Sequence, residues 1–376
     1  MKIGIINYTG GGISGGYLKY LQNILPLLAK HTDISSILCA TPPNISLENK
    51  LGDIKKLEHT DCLPFKYFRL HKDKALYAKL DQFKPDVLFF PLEHFFQYKN
   101  IPTVTMIQNM EPLIDNFPGD PVLEKIKKLL QRRAAKKAVM TTDAIIAPSD
   151  FVLNFLVDKW HIPKQKITRI YYGINKIEQL SITKPKKIPD SWKNQFIFTV
   201  GSIRPARGLD DLVTAIQHQE IKKIDSLYFV IAGKASSATK EYRDNLYNRI
   251  KKSSLLNRVS WQSQLTESEM AWCYQNCLTF AITSKIESFG MITGEALSHN
   301  CIIVSSDAPC MPEIAKDAAI FYKSGDGKSL ADKLIQATHL TTEEKNTIFS
   351  RTQARASEFA WQTTAEKTIY LLKSLI

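Results

Sequence analysis

The sequence predicts an α/β protein made of two Rossmann-like halves, and three observations predict it. Short apolar runs alternate with helical apolar periods from residue 2 to about residue 160, the pattern of a parallel sheet with helices on both faces. The alternation stops between Lys176 and Trp192, where Pro185, Pro189 and four lysines leave few apolar residues, and then starts again. A chain of 376 residues is also long enough for two separate cores. The expected division is 1–180, a linker reaching Trp192, and a second half over 190–358 followed by a last helix over 359–376.

The elements follow in order. Residues 2–7 read as the first strand, and YLKYLQNILPLLAKH, ending at His31, as a helical apolar period. ISSILCAT is the second strand, DVLFFPLE (Asp86–Glu93) a later one, and Thr103–Ile107 another. Residues 122–140 form a basic helix, and AIIAPS (Ala144–Ser149) is a strand. In the second half, FIFTVGS is a strand, RGLDDLVTAIQ a helix, SLYFVIAG a strand and EYRDNLYNRIKKS a helix. CLTFAITS (Cys277–Ser284) reads as a buried strand, followed by IIVSS, AAIFY and C-terminal helices.

Composition narrows the function classes. The net charge of +13 favours anionic partners. No run approaches about 18 uninterrupted apolar residues, so no transmembrane helix is expected. MKIGIINY is a first strand rather than a signal peptide. Six cysteines fit a reducing compartment. Cys273 and Cys277 lack the further ligands of a zinc site and read as core thiols.

The chain is organised around Ser284–His299, SKIESFGMITGEALSH, where a strand, a turn containing Gly290 and a helix succeed one another. A helix N-terminus at the carboxyl edge of a parallel strand binds anions through free N–H groups. Phe289, Gly290 and Met291 are placed to supply them, with Glu287 and Glu295 on either side. A ligand anionic in its middle and rich in hydroxyls at both ends fits this pattern, and a nucleotide sugar is one. Eight residues of helix span about 12 Å, beyond the spacing of two glycosidase carboxylates. The two glutamates therefore hold different parts of one ligand.

ESFGMITGE resembles the E-x7-E motif of the retaining glycosyltransferases of family 4, and SSDAPCMPEIAKDAAIFYKSGD (Ser305–Asp326) resembles the stretch that follows it there. The likeness runs over most of 190–376 and more weakly over 1–180. It implies the GT-B fold, with two Rossmann-like domains facing across a cleft and the last helix, here Trp361–Ile376, crossing back to the first domain. It also implies sugar transfer from a nucleotide sugar to a hydroxyl of a growing polysaccharide or lipid-linked glycan, with retention of configuration. Glu287 would contact the sugar's hydroxyls and Glu295 the ribose. A sugar-nucleotide epimerase and a non-catalytic nucleotide-sugar binder are the alternatives. Base contacts are expected from the loops after Ala232–Gly233 and after Trp261–Gln264, and Glu313 is expected to cap its helix.

Gly10, Gly12 and Gly15 satisfy G-x-G-x-x-G, but the acidic residue a dinucleotide site needs after the second strand is missing. The glycines resemble instead the family's N-domain loop beside the donor diphosphate, with Gly11, Gly12 and Gly16 as contacts; a turn that merely needs positive φ is the other possibility. GSIRPARGLDDL (Gly201–Leu212) resembles the family's G-x-x-x-x-R-K-G segment, with Arg207 at the lysine position and Arg204 in the same turn. Arginine holds phosphate with two parallel hydrogen bonds and keeps its charge, and a fixed cation stabilises a leaving diphosphate. No Asp-x-Asp is present to hold a metal, so neither a metal nor another cofactor is expected.

Many family members carry a histidine where this chain has Gln108, followed by Asn109. Neither is a base, so these two are expected to orient a hydroxyl while the leaving phosphate takes the acceptor's proton. His94 either serves the acceptor or is structural. The helix over 122–139 carries seven cations, one anion and a leucine stripe. It docks on an anionic membrane, placing the protein on the inner face from the cytoplasm, or packs its stripe on the sheet, or does both. No nucleic-acid motif accompanies the charge.

Overall fold

The computed structural model describes residues 1–9, 15–43, 51, 54–65, 73–114, 117–175, 182–253 and 255–376. Contacts divide the chain into two units. The first holds Met1–Ile114, Lys127–Gly173 and Phe359–Ile376, and the second holds Asp115–Ile126 and Ile174–Glu358.

The elements up to residue 169 are β1 (Lys2–Ile6), α1 (Gly15–Lys30), β2 (Ser36–Thr41), β3 (Leu57–Asp61), α2 (Lys74–Phe83), β4 (Val87–Phe90), β5 (Thr103–Met106), α3 (Glu111–Ile114), α4 (Val122–Thr141), β6 (Ala144–Ala147), α5 (Asp150–Trp160) and β7 (Ile167–Arg169). Their strands form one sheet in the order β3-β2-β1-β4-β5-β6-β7. Every pair is parallel, with Ile3 between Ile37 and Val87. Strands covered on both faces need side chains that avoid water on both. VLFF of β4 and AIIA of β6 are accordingly buried throughout.

The second unit contains β8 (Phe196–Val200), α6 (Leu209–Ile216), α7 (Gln219–Lys222), β9 (Tyr228–Ala232), α8 (Lys240–Lys252), β10 (Val259–Gln262), α9 (Glu267–Asn276), β11 (Thr279–Ile282), α10 (Met291–Ser298), β12 (Ile303–Ser306), α11 (Met311–Ala315), β13 (Ala319–Tyr322), α12 (Gly327–Thr338) and α13 (Thr342–Ser357). Its parallel sheet runs β10-β9-β8-β11-β12-β13. The helices close over it with one apolar cluster that includes Val213, Ile216, Ile231, Val304 and Leu334. The apolar stripe of α6 is buried almost entirely.

Several expectations are corrected. The segment read as a linker packs on the second unit where it is described. Ile188 and Trp192 are buried, and the Trp192 ring stacks on Tyr228 at 4.5 Å. The Ser260 hydroxyl donates to the Lys187 carbonyl at 3.1 Å. Two well-placed apolar residues suffice to dock a polar, proline-rich stretch. Residues 176–181 lie outside the described residues. Strands read from apolar runs are shorter than their runs, since β4 stops at Phe90 and β11 covers only Thr279–Ile282.

The C-terminal helix Trp361–Lys373 packs on the first unit. Trp361 stacks on Tyr172 at 6.3 Å and meets Tyr20 edge-on at 5.8 Å. The Thr364 hydroxyl donates to the Tyr171 carbonyl at 2.8 Å. Position 173 must be glycine here, because a Cβ would come within 2.3 Å of Trp361. A buried aromatic removed from a packed core costs about 3–5 kcal/mol. Trp361→Ala is expected to lower the unfolding free energy of the first unit by about that amount, measured by urea titration followed by circular dichroism.

Candidate functional site

In the second unit the candidate residues gather at the carboxyl edge of its sheet. After β8 the chain turns at Gly201 and enters a tight helical turn over Pro205–Arg207. Gly208 then adopts φ of 63°, in the left-handed region, and a Cβ there would come within 2.0 Å of the Thr283 carbonyl. Glycine is needed both for the angle and for the close approach. That approach lets Thr283 donate to the Arg207 carbonyl at 2.7 Å and the Lys285 N–H donate to the Ala206 carbonyl at 2.9 Å. The turns after β8 and β11 are thereby tied together.

This tie brings Arg207, Ser284 and Glu287 into one cluster. The Arg207 guanidinium pairs with the Glu287 carboxylate through Nη1 and also donates to Ser284 Oγ at 3.2 Å. Ser284 donates to Glu287 Oε1 at 2.9 Å. The Nε of Arg207 is buried and has no partner among the described residues. Gly201 faces this guanidinium, since a Cβ built on it would lie 3.7 Å from Nε. Arg204 lies three residues earlier, at the start of the same turn. Next in sequence, Gly290 adopts φ of 82° and opens α10. The first N–H groups of such a helix have no intrahelical acceptor, and they belong here to Met291 and its neighbours. Phe289 contributes only backbone, because its side chain is 1% exposed.

Glu295 sits one turn into α10 and is oriented from behind. The Tyr274 hydroxyl donates to Glu295 Oε2 at 2.9 Å, and the His299 ring stacks on Tyr274 at 4.8 Å. Burial, and then the negative charge of Glu295, push the Tyr274 phenol well up. It therefore stays protonated and keeps donating. Glu287 and Glu295 thus have separate partners. Glu313 lies in the first turn of α11.

The first unit places Gln108 and Asn109 directly after β5. Gln108 Nε2 donates to the Pro91 carbonyl at 2.8 Å, and Asn109 Oδ1 accepts from the Glu111 N–H at 3.1 Å. The Asn109 N–H donates to Glu93, whose other oxygen accepts from the Tyr17 hydroxyl at 2.8 Å. Gly16 lies in the first turn of α1 and is half-buried. Gly11 and Gly12 lie outside the described residues. His94 is structural: its ring stacks on Phe65 at 4.1 Å, and burial pushes its pKa down to about 4.

Sequence reasoning missed Ser284 as a partner of Arg207, and it missed Tyr274, Glu93 and Tyr17. Ser284 was visible as the polar residue closing an apolar strand. The others carry no local signal, since each acts on a residue at least 16 positions away.

Helix α4 does not pack its apolar stripe on the sheet. Val122, Leu123, Ile126 and Leu129 are exposed, among exposed Lys125 and Lys127. Its anchor is a buried ion pair, Lys128 with Glu111 at 2.9 Å, together with Ala135, Ala138 and Val139. No helix among the described residues is long and apolar enough to cross a membrane.

The chain is similar to known proteins over nearly its whole length. The family model "Glycosyltransferase Family 4" matches residues 14–176, and "Glycosyl transferases group 1" matches residues 181–354. The O-antigen chain mannosyltransferase B of Escherichia coli is 20% identical over 351 residues, 88% of this chain and 87% of the relative. Among solved structures, Anabaena Alr3699/HepE in complex with UDP and glucose has a TM-score of 0.76 at 19% identity, covering 100% of both chains. A glycosyltransferase from Rickettsia africae has a TM-score of 0.72 at 15% identity, covering 100% of this chain and 98% of the other. These structural likenesses show the GT-B fold.

Gly208→Ala should cost about 1–3 kcal/mol from the backbone angle alone, and more from the collision with Thr283. The urea midpoint of the second unit checks it, with Gly325→Ala as a control whose Cβ meets nothing within 4 Å although its φ is also positive.

Proposed function

Because the chain belongs to the glycosyltransferases of family 4 and group 1, and so takes its sugar from a nucleotide sugar, we propose that it elongates a polysaccharide or lipid-linked glycan with retention of anomeric configuration and without a metal. One observation carries this: the Arg207–Ser284–Glu287 cluster beside the Gly290-led start of α10. A fixed cation and free helix N–H groups together match a diphosphate. Arg207, with Arg204, takes up the charge that grows on the leaving diphosphate, a role otherwise filled by a divalent cation. Glu287 binds the sugar's hydroxyls, and Glu295, held by Tyr274, binds the ribose. Gln108 and Asn109, fixed by their own hydrogen bonds, orient a hydroxyl. The leaving phosphate takes the acceptor's proton on the same face as departure, and the configuration is kept.

The acceptor class is supported by the name of the Escherichia coli relative, an O-antigen chain mannosyltransferase. It also fits α4, whose exposed apolar residues lie among lysines. Such a helix face sits in a lipid interface, and each cation near an anionic surface adds about 1 kcal/mol. The protein accordingly works from the cytoplasmic side, bound to the inner face of the membrane.

A thermal-shift panel of nucleotide sugars, with UDP-glucose and GDP-mannose among them, followed by nucleotide-release assays with glycan acceptors tests the reading. Binding without release in every acceptor extract would point to a binder, and sugar conversion without an acceptor to an epimerase. Arg207→Ala should slow turnover about 10²–10³-fold, chelator should leave turnover unchanged, and NMR of the product should show the donor's anomeric configuration. Leu123→Glu with Ile126→Glu should abolish sedimentation with phosphatidylglycerol vesicles while leaving nucleotide binding intact. Unchanged sedimentation would remove the membrane role.

A further inference from the structure

We propose that Glu93 is a positioning residue of the first unit, its carboxyl group holding the start of α1 and the Gln108–Asn109 turn in one arrangement; this rests on the transferase reading above. Two sequence-distant pieces meet at this group. The Tyr17 hydroxyl reaches Oε2 from the first turn of α1, one residue after Gly16. The Asn109 N–H reaches Oε1 from the turn after β5. The Gln108 N–H also acts on the carboxyl. A carboxylate has four acceptor sites, so one group serves all of them. The Gln108 and Asn109 side chains are in turn set by bonds to Pro91 and Glu111. Removal of the carboxyl therefore frees the turn that aims both amides, together with the helix that begins at the glycine loop.

Glu93 is 7% exposed, and burial pushes its carboxyl up to about 7 against the opposing bonds from Tyr17 and backbone N–H groups. The charged and titratable neighbours are few. Tyr17 comes from α1, His94 from its own loop is neutral above about pH 4, and Glu111 of α3 is paired with Lys128 of α4. The neutral acid keeps the arrangement, because a phenol accepts as well as donates and Oε1 still accepts from Asn109. The sign follows from linkage. The closed arrangement binds the proton more tightly than a solvated Glu93 does. Its advantage is fully present below the ordinary glutamate range and is lost as pH rises through about 7.

The experiment is hydrogen exchange of the intact chain, read at peptides covering 105–112 and 15–22, from pH 5 to 8 with intrinsic rates corrected. Nucleotide release from UDP-glucose and GDP-mannose is measured in parallel. In wild type, protection should fall with pH and level off near 7. Glu93→Gln, which mimics the neutral acid, should keep the protection and at least half the turnover but lose the Glu93 part of the pH dependence. His94 contributes equally to both, so the difference isolates Glu93. Glu93→Ala, with the rest of its exchange map unchanged, should lose protection at both peptides and at least tenfold in turnover. If it fails to fold, Tyr17→Phe decides. Loss of the Tyr17 bond, which lowers the Glu93 value, must move the levelling point to higher pH. An unmoved levelling point overturns the inference, as does Glu93→Ala with unchanged protection, or Glu93→Gln as impaired as Glu93→Ala. The expected exchange pattern in a wild type that releases nucleotide from no donor counts against the transferase reading alone.

Discussion

The contact between turns at Gly208 and Thr283 governs the geometry of the Arg207–Ser284–Glu287 cluster. Arg207 precedes this glycine, and Ser284 and Glu287 follow this threonine. Only a residue without a Cβ lets the two backbones come close enough for the Arg207 carbonyl to accept from Thr283. The ion pair that results is partly exposed, with side-chain exposures of 21% and 15%. Such pairs contribute little to stability. Its value lies in arrangement: Glu287 presets a guanidinium whose Nε is without a partner among the described residues. Preorganised charge of this kind costs no reorganisation at the moment of reaction.

The first unit uses charge differently. Its ionisable groups near the β4 and β5 exits are buried, and each is matched to a specific partner. Lys128 meets Glu111 with both side chains under 10% exposed. A buried pair of this kind adds little net stability, yet removal of one partner strands a charge. It specifies where α4 attaches, and the exposed apolar residues of that helix are left on its outer side. The helix pattern of charges and leucines fits both a packed and an exposed stripe. The buried lysine decides between them, because it turns the opposite face inward.

Much of the architecture was legible because parallel strands buried on both faces must be continuously apolar. That signal located β1, β2, β4, β5, β6, β8, β9, β11, β12 and β13. The unrecognised strands β3, β7 and β10 all lie at sheet edges. LEHTD of β3 is half-exposed along its length, and an edge strand needs no continuous apolar run. The segment 182–192 looked like a spacer by composition, but Ile188 and Trp192 outweigh its lysines once a surface is available to receive them.

Local pattern singled out Arg207, Glu287 and Gly290 between a strand end and a helix start, and Glu295 one turn into α10. By itself the sequence determined the two parallel-sheet halves, the turn at Gly290 and the identity of the charges around it, because strand, turn and helix start are encoded within a dozen neighbouring residues. Tertiary structure alone decided which groups those charges meet. Arg207 finds Glu287 across 80 positions, Tyr274 finds Glu295 across 21, and Tyr17 finds Glu93 across 76. Hydrogen-bond partners are chosen by distance in space, and strand order, which no local pattern records, sets that distance.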